Sequence, residues 1–218
     1  AFAPQIKWGQ HERKNNQTFY IIAISIVITA IIYYLLGNIF FALSVFITMP
    51  LFIKSFLVFF KKISKDRSFF AQWLAHLSIG LFIVAAVYTE QFDYEKNITF
   101  EKGDNNEIVL DEDTFLLLEN IKDTDLSNHQ KISVDLIVME NNLKYSLSPS
   151  KNIYQPSGQV TNEVSTVNKY FDQYYATISM IESDKVSINL VYKPFINLLW
   201  ISSILLVFSI FLSIMKRK

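Results

Sequence analysis

His76 is the residue of this sequence with the clearest capacity for cofactor chemistry. It lies in Trp73-Leu74-Ala75-His76-Leu77-Ser78-Ile79-Gly80, inside a long apolar segment. An ionisable side chain at membrane depth is costly and usually faces the protein interior. A neutral imidazole there can ligate a haem iron, relay a proton or make an interhelical hydrogen bond. These roles stay open on the residues alone.

The spacing around His76 is compatible with a flat ligand. Trp73, His76 and Gly80 fall on one face of a helix, where a planar ring or another helix could approach the small residue. A haem with two axial ligands would need a second one, and neither His11 nor His129 lies in an apolar segment. We therefore expect the second ligand to come from outside this chain.

The sequence excludes several other kinds of chemistry. It has no cysteine, so a disulfide, a thiolate nucleophile, an iron–sulfur cluster and a CxxCH haem attachment are ruled out. Its three histidines do not lie at a metal-binding spacing, and GxGxxG, P-loop and GxSxG motifs are absent. Twenty basic and twenty acidic residues cancel, and no basic patch interleaves with aromatics, so we predict no nucleic-acid partner.

Four apolar segments are long enough to cross a membrane, which takes about 20 residues as a helix. Gly37-Asn38 makes a tight turn between the first two, and Lys54 and Pro50 are the only interruptions of the second. We interpret Lys54 as a snorkelling side chain and Pro50 as a kink. The predicted transmembrane helices are 19–36, 39–60, 69–89 and 195–215.

Charge asymmetry predicts how these helices are oriented. The segments 1–18, 61–68 and 216–218 together carry ten basic residues and two acidic ones, whereas 90–194 carries nine basic and eighteen acidic residues. Basic residues close to membrane helices stay on the cytoplasmic side. We therefore predict cytoplasmic termini, a cytoplasmic 61–68 loop and a 90–194 domain outside the inner membrane.

The 90–194 segment has the pattern of antiparallel strands. Apolar residues alternate with polar ones in 132–138 and 186–192, which is typical of half-buried strands. Turn clusters separate these runs: Gly103-Asp104-Asn105-Asn106, Glu140-Asn141-Asn142, Pro156-Ser157-Gly158 and Glu182-Ser183-Asp184. The fold class is thus a four-helix transmembrane bundle with an inserted small all-β domain, a sandwich or partly open barrel. His129 follows Ser127-Asn128, and we expect it in a solvated loop.

Several strings together resemble the carboxyl-terminal part of CcmF, the large membrane subunit of the bacterial System I cytochrome c haem lyase. The resemblance runs over nearly the whole chain. The strings are Lys7-Trp8-Gly9 before a helical hairpin, Trp73 with Ala75-His76-Leu77, then Lys151, Tyr154 and Thr161-Asn162-Glu163, and finally Tyr192-Lys193-Pro194-Phe195 with Trp200. The family usually has glycine after its His-Leu pair, whereas this chain has Ser78.

The resemblance implies that His76 is one of two intramembrane histidines ligating a b haem. The shared helix face would then place Trp73 and Gly80 against that haem. It also implies a complex that forms thioether bonds between haem vinyl groups and the cysteines of apocytochrome c. The family's tryptophan-rich external motif, its two flanking histidines and the partner intramembrane histidine are missing here. We therefore expect a fragment or separately encoded piece that is not competent alone.

The implied partners are the rest of the haem lyase, an apocytochrome-presenting thioredoxin-like subunit, a haem chaperone, apocytochrome c and membrane lipid. Lys193 could pair with a haem propionate, although anchoring the last helix at headgroup level is the simpler role. A different hypothesis is a non-catalytic membrane anchor that presents the β domain for protein contacts, with His76 purely structural. A transporter segment is disfavoured because the spans carry few polar residues.

Overall fold

The computed structural model describes residues 16–62, 67–101, 107–111, 113–182 and 185–215. Some predictions therefore fall on residues outside the described part of the chain. These are the predictions for His11, for the Lys7-Trp8-Gly9 string, for the turn at 103–106, for Ser183-Asp184, for the tail 216–218 and for most of the 1–18 and 61–68 segments.

The described residues form four long helices and ten strands. The helices are α1 (Asn16–Leu36), α2 (Ile39–Lys62), α3 (Arg67–Phe92) and α4 (Ile196–Ile214). Each of the four is long and apolar enough to cross a membrane. Helix α3 packs against both α2 and α4, and α1 packs against α2. The predicted multi-pass helical membrane protein is confirmed.

Gly37 and Asn38 separate α1 from α2 by local chemistry. Gly37 has φ 67° and donates its N–H to Tyr33 O at 2.8 Å, which closes α1 in the left-handed conformation that glycine adopts at no steric cost. Asn38 Oδ1 then accepts a hydrogen bond from the Phe41 N–H at 3.0 Å and caps α2. The amide of Asn38 also donates to Gln91 Oε1 at 3.0 Å, so this turn is tied to the end of α3.

Small residues line the contacts between the helices. Six buried hydroxyl side chains each donate to a backbone carbonyl three or four residues earlier in their own helix, so these six are satisfied without a partner from another helix. They are Ser25, Ser44, Thr48, Ser78, Ser202 and Ser209. Helices with small residues at their contacts can approach closely without a large apolar core.

The ten strands form one unit, Asp93–Pro194, inserted between α3 and α4. One sheet has the order β1-β10-β9-β8, and the other has the order β2-β3-β4-β6-β7 with β5 paired to β4. All pairs are antiparallel. The strands are β1 (Tyr94–Glu101), β2 (Glu107–Asp111), β3 (Thr114–Asp125), β4 (His129–Glu140), β5 (Leu143–Leu147), β6 (Ser150–Tyr154), β7 (Val160–Glu163), β8 (Ser165–Lys169), β9 (Asp172–Ile181) and β10 (Lys185–Lys193).

Both sheets contribute to one hydrophobic core. Leu116, Val134 and Leu136 from the larger sheet pack in the same cluster as Ile178 and Ile188 from the smaller one, and all five are almost completely buried. The alternating positions of β4 and β10 supply much of this cluster because successive side chains of a strand point to opposite faces. The prediction of an inserted all-β domain is confirmed, and its two sheets share one core.

The prediction that His129 lies in a solvated loop is wrong. His129 is the first residue of β4, opposite Tyr154 of β6, and it is half-buried. The two rings lie 5.0 Å apart between centroids. This cross-strand ring pair extends the strand to a residue that local turn signals assign to the loop.

Candidate functional site

The candidate site is centred on His76 in α3. The His76 side chain is exposed on the surface of the helical unit, as are Gln72 and Ile79 on neighbouring turns of the same helix. His76 Nδ1 lies 2.6 Å from the backbone oxygen of Gln72, one helical turn earlier. The imidazole is therefore held against its own helix while it faces away from the other described helices.

This contact determines the tautomer of a neutral His76. A carbonyl oxygen can only accept a hydrogen bond, so Nδ1 carries the proton and Nε2 carries the lone pair. Histidines that ligate metals generally donate their other ring nitrogen to an oxygen in this way, which fixes the ring orientation and raises the basicity of the ligand. His76 thus offers a metal-ligating nitrogen at the exposed side of α3.

Trp73 lies three residues before His76 and is half-buried. Its ring stacks on Phe70 with centroids 5.7 Å apart and planes inclined by 29°. The two aromatic rings form a flat apolar surface on the turns of α3 that precede His76. Of the residues predicted to line a planar ligand, His76 is exposed and Trp73 is half-buried one turn before it in α3.

Gly80 has a different environment. A Cβ atom placed on Gly80 would lie 2.7 Å from Cε1 and 2.8 Å from Cζ of Phe52, so the glycine lets the Phe52 ring of α2 pack directly on the α3 backbone. Ser78, where the resembled family has glycine, is fully buried and donates to Leu74 O at 2.7 Å. Gly80 therefore belongs to the α2–α3 contact, and its packing against a haem stays a prediction.

Two further features of the helical unit are separate from this site. Lys54 lies half-buried in α2, four residues after Pro50. An apolar cleft of about 280 Å³ lies between α1 and α2, lined by side chains that include Tyr33 and Phe46. Its lining contains none of the three predicted cofactor-binding residues, so the cleft offers nothing to a ligand of His76.

The β domain holds a second concentration of titratable groups, which is built from tyrosines. Tyr174 O–H donates to Glu140 Oε2 at 3.0 Å, and Glu140 Oε1 accepts from Lys169 Nζ at 2.7 Å. Tyr192 O–H donates to Asp172 Oδ2 at 2.7 Å. Burial is the main cause that raises the pKa of both tyrosines above the usual 10.0, and Glu140 and Asp172 add to it, so the phenols stay protonated. The cluster is a satisfied structural network because each of these phenols has an acceptor.

Lys193 has its partner within the β domain. Its Nζ lies 2.6 Å from Oδ2 of Asp93, and both side chains are about one third exposed. This ion pair joins Asp93, the first residue of the unit, to Lys193, the last residue of β10. The pairing of Lys193 with a haem propionate would have to replace this contact, and both that pairing and the anchoring of the last helix at headgroup level stay predictions.

The described residues contain no group of three or more histidine, aspartate or glutamate side chains arranged to hold a metal ion. A haem iron needs fewer protein ligands, since its macrocycle supplies the equatorial ones. The sequence interpretation missed Gln72 as a polar neighbour within the third span. The spacing could have indicated this contact, because a residue four positions before His76 in a helix places its backbone carbonyl beside the imidazole.

The comparisons with known proteins agree with the resemblance at the level of the fold. A solved structure described as cytochrome c haem lyase CcmF matches with a TM-score of 0.77 at 10% sequence identity. The match covers 96% of this chain and 36% of that chain, so the present sequence spans about a third of its solved relative. No family model and no curated protein matches the sequence.

Proposed function

We propose that this chain is part of a cytochrome c maturation haem lyase. In this proposal His76 supplies one axial ligand to an intramembrane b haem, and the β domain serves the assembly of haem with apocytochrome c. The fold likeness to CcmF supports the general role. The observation that carries the specific role is the exposed His76 imidazole, whose Nδ1 is engaged by Gln72 O at 2.6 Å.

The environment of His76 favours a partner from outside the chain. A polar side chain in a spanning helix normally faces the protein interior because lipid cannot satisfy its polar atoms. His76 and Gln72 are instead exposed on the described helical unit. Either a cofactor or a helix that is absent from this sequence would satisfy Nε2. A haem iron fits the nitrogen that carries the lone pair.

The residues around His76 would hold such a group through a hydrogen bond to the imidazole and through apolar contact. Gln72 O keeps the imidazole in the ligating tautomer, and the stacked Phe70–Trp73 surface offers apolar contact to a flat macrocycle. A b haem bound there supplies a one-electron iron couple. Its second axial ligand would come from the rest of the complex, because His129, the other histidine that the structure describes, belongs to the β domain.

The proposed setting is the bacterial inner membrane. The charge asymmetry supports cytoplasmic termini and a periplasmic β domain. The proposed partners are the rest of the haem lyase polypeptide or complex, with its thioredoxin-like apocytochrome-presenting subunit and haem chaperone. Apocytochrome c and membrane lipid are the remaining proposed partners. The chain is not expected to catalyse thioether formation alone, since it spans about a third of CcmF.

The test is a reduced-minus-oxidised visible spectrum of the parent membrane complex carrying His76→Ala. We expect loss of the low-spin b haem bands while the complex still assembles. Gln72→Ala is the matched control, because it removes the neighbouring side chain and keeps the backbone oxygen that binds Nδ1. Added imidazole should restore the bands in the His76→Ala complex by replacing the missing ligand.

Full retention of the b haem bands in an assembled His76→Ala complex would overturn the axial-ligand assignment. That result would favour the alternative of a non-catalytic membrane anchor, in which His76 contacts another helix. Equal loss of haem in Gln72→Ala and His76→Ala would indicate that the polar surface of α3 acts by packing rather than by ligation.

A further inference from the structure

Strand β7 lies at the outer edge of the larger sheet. Its four residues, Val160–Glu163, pair with β6 on one side. Within the described part of the chain, no strand pairs with its other side. An edge strand of this kind presents backbone N–H and C=O groups that its own sheet does not use.

The register of the β6–β7 pair identifies the unused groups. Tyr154 donates its N–H to Gln159 O at 2.8 Å. In antiparallel strands, residues that bond to the partner strand alternate with residues whose N–H and C=O groups point away from it. Every second residue from Gln159 onward therefore bonds to β6, whereas Val160 and Asn162 direct their backbone groups to the free edge.

The other sheet edges of the domain are joined to each other by hydrogen bonds. On one side, Lys96 Nζ of β1 donates to Leu110 O of β2. On the other side, the Ser148 N–H, directly after β5, donates to Ser165 Oγ of β8 at 2.9 Å. Among the described strands, β7 is thus the edge strand that no such bond joins to the opposite sheet.

The sequence of β7 does not protect this edge. Exposed edges of natural sheets commonly carry lysine, proline or a bulge. The segment 159–164 contains neither lysine nor proline, and its pairing with β6 has no register shift. The charged side chain of the strand, Glu163, is turned toward the sheet, because it accepts hydrogen bonds from Ser150 of β6 and Lys131 of β4.

The chemistry of the edge fits an extended peptide. Alternating N–H and C=O groups are matched by the backbone of another strand, whose alternate side chains then meet one face of the sheet. Val160 is 49% exposed and Val164, directly after the strand, is 43% exposed, so apolar side chains are favoured there. The 90–194 segment carries eighteen acidic and nine basic residues, which attracts a basic peptide.

We propose that the free edge of β7 binds an extended, basic segment of a partner polypeptide as an added strand. The backbone groups of Val160 and Asn162 form the hydrogen bonds. Val160 and Val164 contact apolar side chains at alternate positions of the segment. This interaction surface belongs to the β domain alone and is independent of the role assigned to His76.

The test measures binding of a fluorescein-labelled peptide of alternating valine and lysine by fluorescence anisotropy. The protein is the full chain in nanodiscs of uncharged phosphatidylcholine. Asn162→Pro removes an outward N–H and no hydrogen bond to β6. Asn162→Ala is the matched control, since it removes the same side chain and keeps the N–H. We expect Asn162→Pro to weaken binding about tenfold and Asn162→Ala to change it less than about twofold.

A second arm leaves the protein unchanged. The same peptide, N-methylated at every peptide bond, keeps its side chains and charge but has no backbone donors, and we expect it not to bind. Equal binding of both peptides, or of the peptide by Asn162→Pro and the unmodified chain, would overturn the proposal, because charge alone would then explain the affinity. Absence of binding by the unmodified chain would also overturn it.

Two further outcomes concern the identity of the occupant. A peptide with glutamate in place of lysine should bind more weakly, and equal binding would contradict a basic partner. A second copy of the chain is the competing occupant. The chain contains no cysteine, so a disulfide between Asn162→Cys copies in detergent reports that contact alone. Disulfide formation that the valine–lysine peptide does not suppress would assign the edge to a second copy and overturn the proposal.

Discussion

The helical unit and the β domain satisfy their polar groups in opposite ways. In the β domain, lysines pair with carboxylates of the same domain, as in Lys122–Asp135, Lys131–Glu163 and Lys169–Glu140. In the helical unit the buried hydroxyls bind their own backbone, while His76 and Gln72 face outward. These lysines are thus paired within the β domain, whereas His76 and Gln72 lie exposed on the helical unit.

The two units also differ in how their apolar residues are used. The β domain gathers residues from both sheets into one buried cluster. The helices expose many large apolar side chains, including Ile204 in α4 and Ile24 in α1, and keep small residues at their contacts. A lipid-facing surface explains that exposure, because lipid tails are as apolar as the side chains. Truncating a buried side chain of the β domain should thus lower its free energy of unfolding strongly. Truncating an exposed apolar side chain of the helical unit should change stability very little.

The largest expected effect is at the β-domain core. Ile188→Ala should destabilise the domain by about 2–5 kcal/mol, because Ile188 is fully buried and its truncation leaves a cavity between the sheets. Hydrogen exchange of the full chain in nanodiscs measures this as lost protection in β1, β9 and β10. Ile204→Ala in α4 is the control, and we expect no change in β-domain protection. Equal losses in both variants would contradict the division into a core-stabilised and a lipid-facing unit.

A smaller effect is expected where α2 crosses α3. Gly80→Ala should lower the stability of the helical unit by about 1–3 kcal/mol, since its Cβ would overlap the Phe52 ring. The melting temperature of the full chain in detergent measures this, and Phe52→Leu in the same chain should recover part of the loss. An unchanged melting temperature, combined with lost b haem in the parent complex, would instead support the haem-packing role for Gly80.

The sequence was sufficient to predict the fold class for identifiable reasons. Membrane-length apolar runs leave few alternatives to helices, and the alternation in 132–138 and 186–192 specifies which faces of β4 and β10 are buried. The strand order could not be predicted, because the pairing of β1 with β10 joins residues almost a hundred positions apart. His129 was misplaced for the same reason: its strand is extended by Tyr154, a partner that local signals do not indicate.

The candidate site was less predictable than the fold. Helical spacing places Trp73, His76 and Gly80 on one face, but it does not tell which part of that face a neighbouring helix covers. Phe52 covers Gly80, and nothing in the spacing of α3 indicates this. The orientation of the imidazole depends on the Gln72 carbonyl, which any residue at that position would supply. The role of His76 was inferred from its residue type and depth and stays a prediction, while its neighbours depend on packing.

The smallest expected effect concerns acid stability of the β domain. Glu163 accepts hydrogen bonds from Ser150 Oγ at 2.6 Å, Lys131 Nζ at 2.9 Å and Asn152 Nδ2 at 3.0 Å, and these contacts lower its pKa from 4.5 to about 2. Because the folded pKa lies below the unfolded one, the carboxylate stabilises the domain above pH 4.5, and this contribution disappears as the pH falls to about 2. The side chain is 53% exposed, so we expect the contribution to be below about 1 kcal/mol.

Glu163→Gln should lower the denaturation midpoint at neutral pH. It should also reduce the dependence of that midpoint on pH between about 2 and 4.5, measured by near-ultraviolet circular dichroism of the full chain. Glu119→Gln controls for the loss of a negative charge, because Glu119 is an exposed residue of β3. An equal response of both variants would show that the three hydrogen bonds to Glu163 contribute no stability.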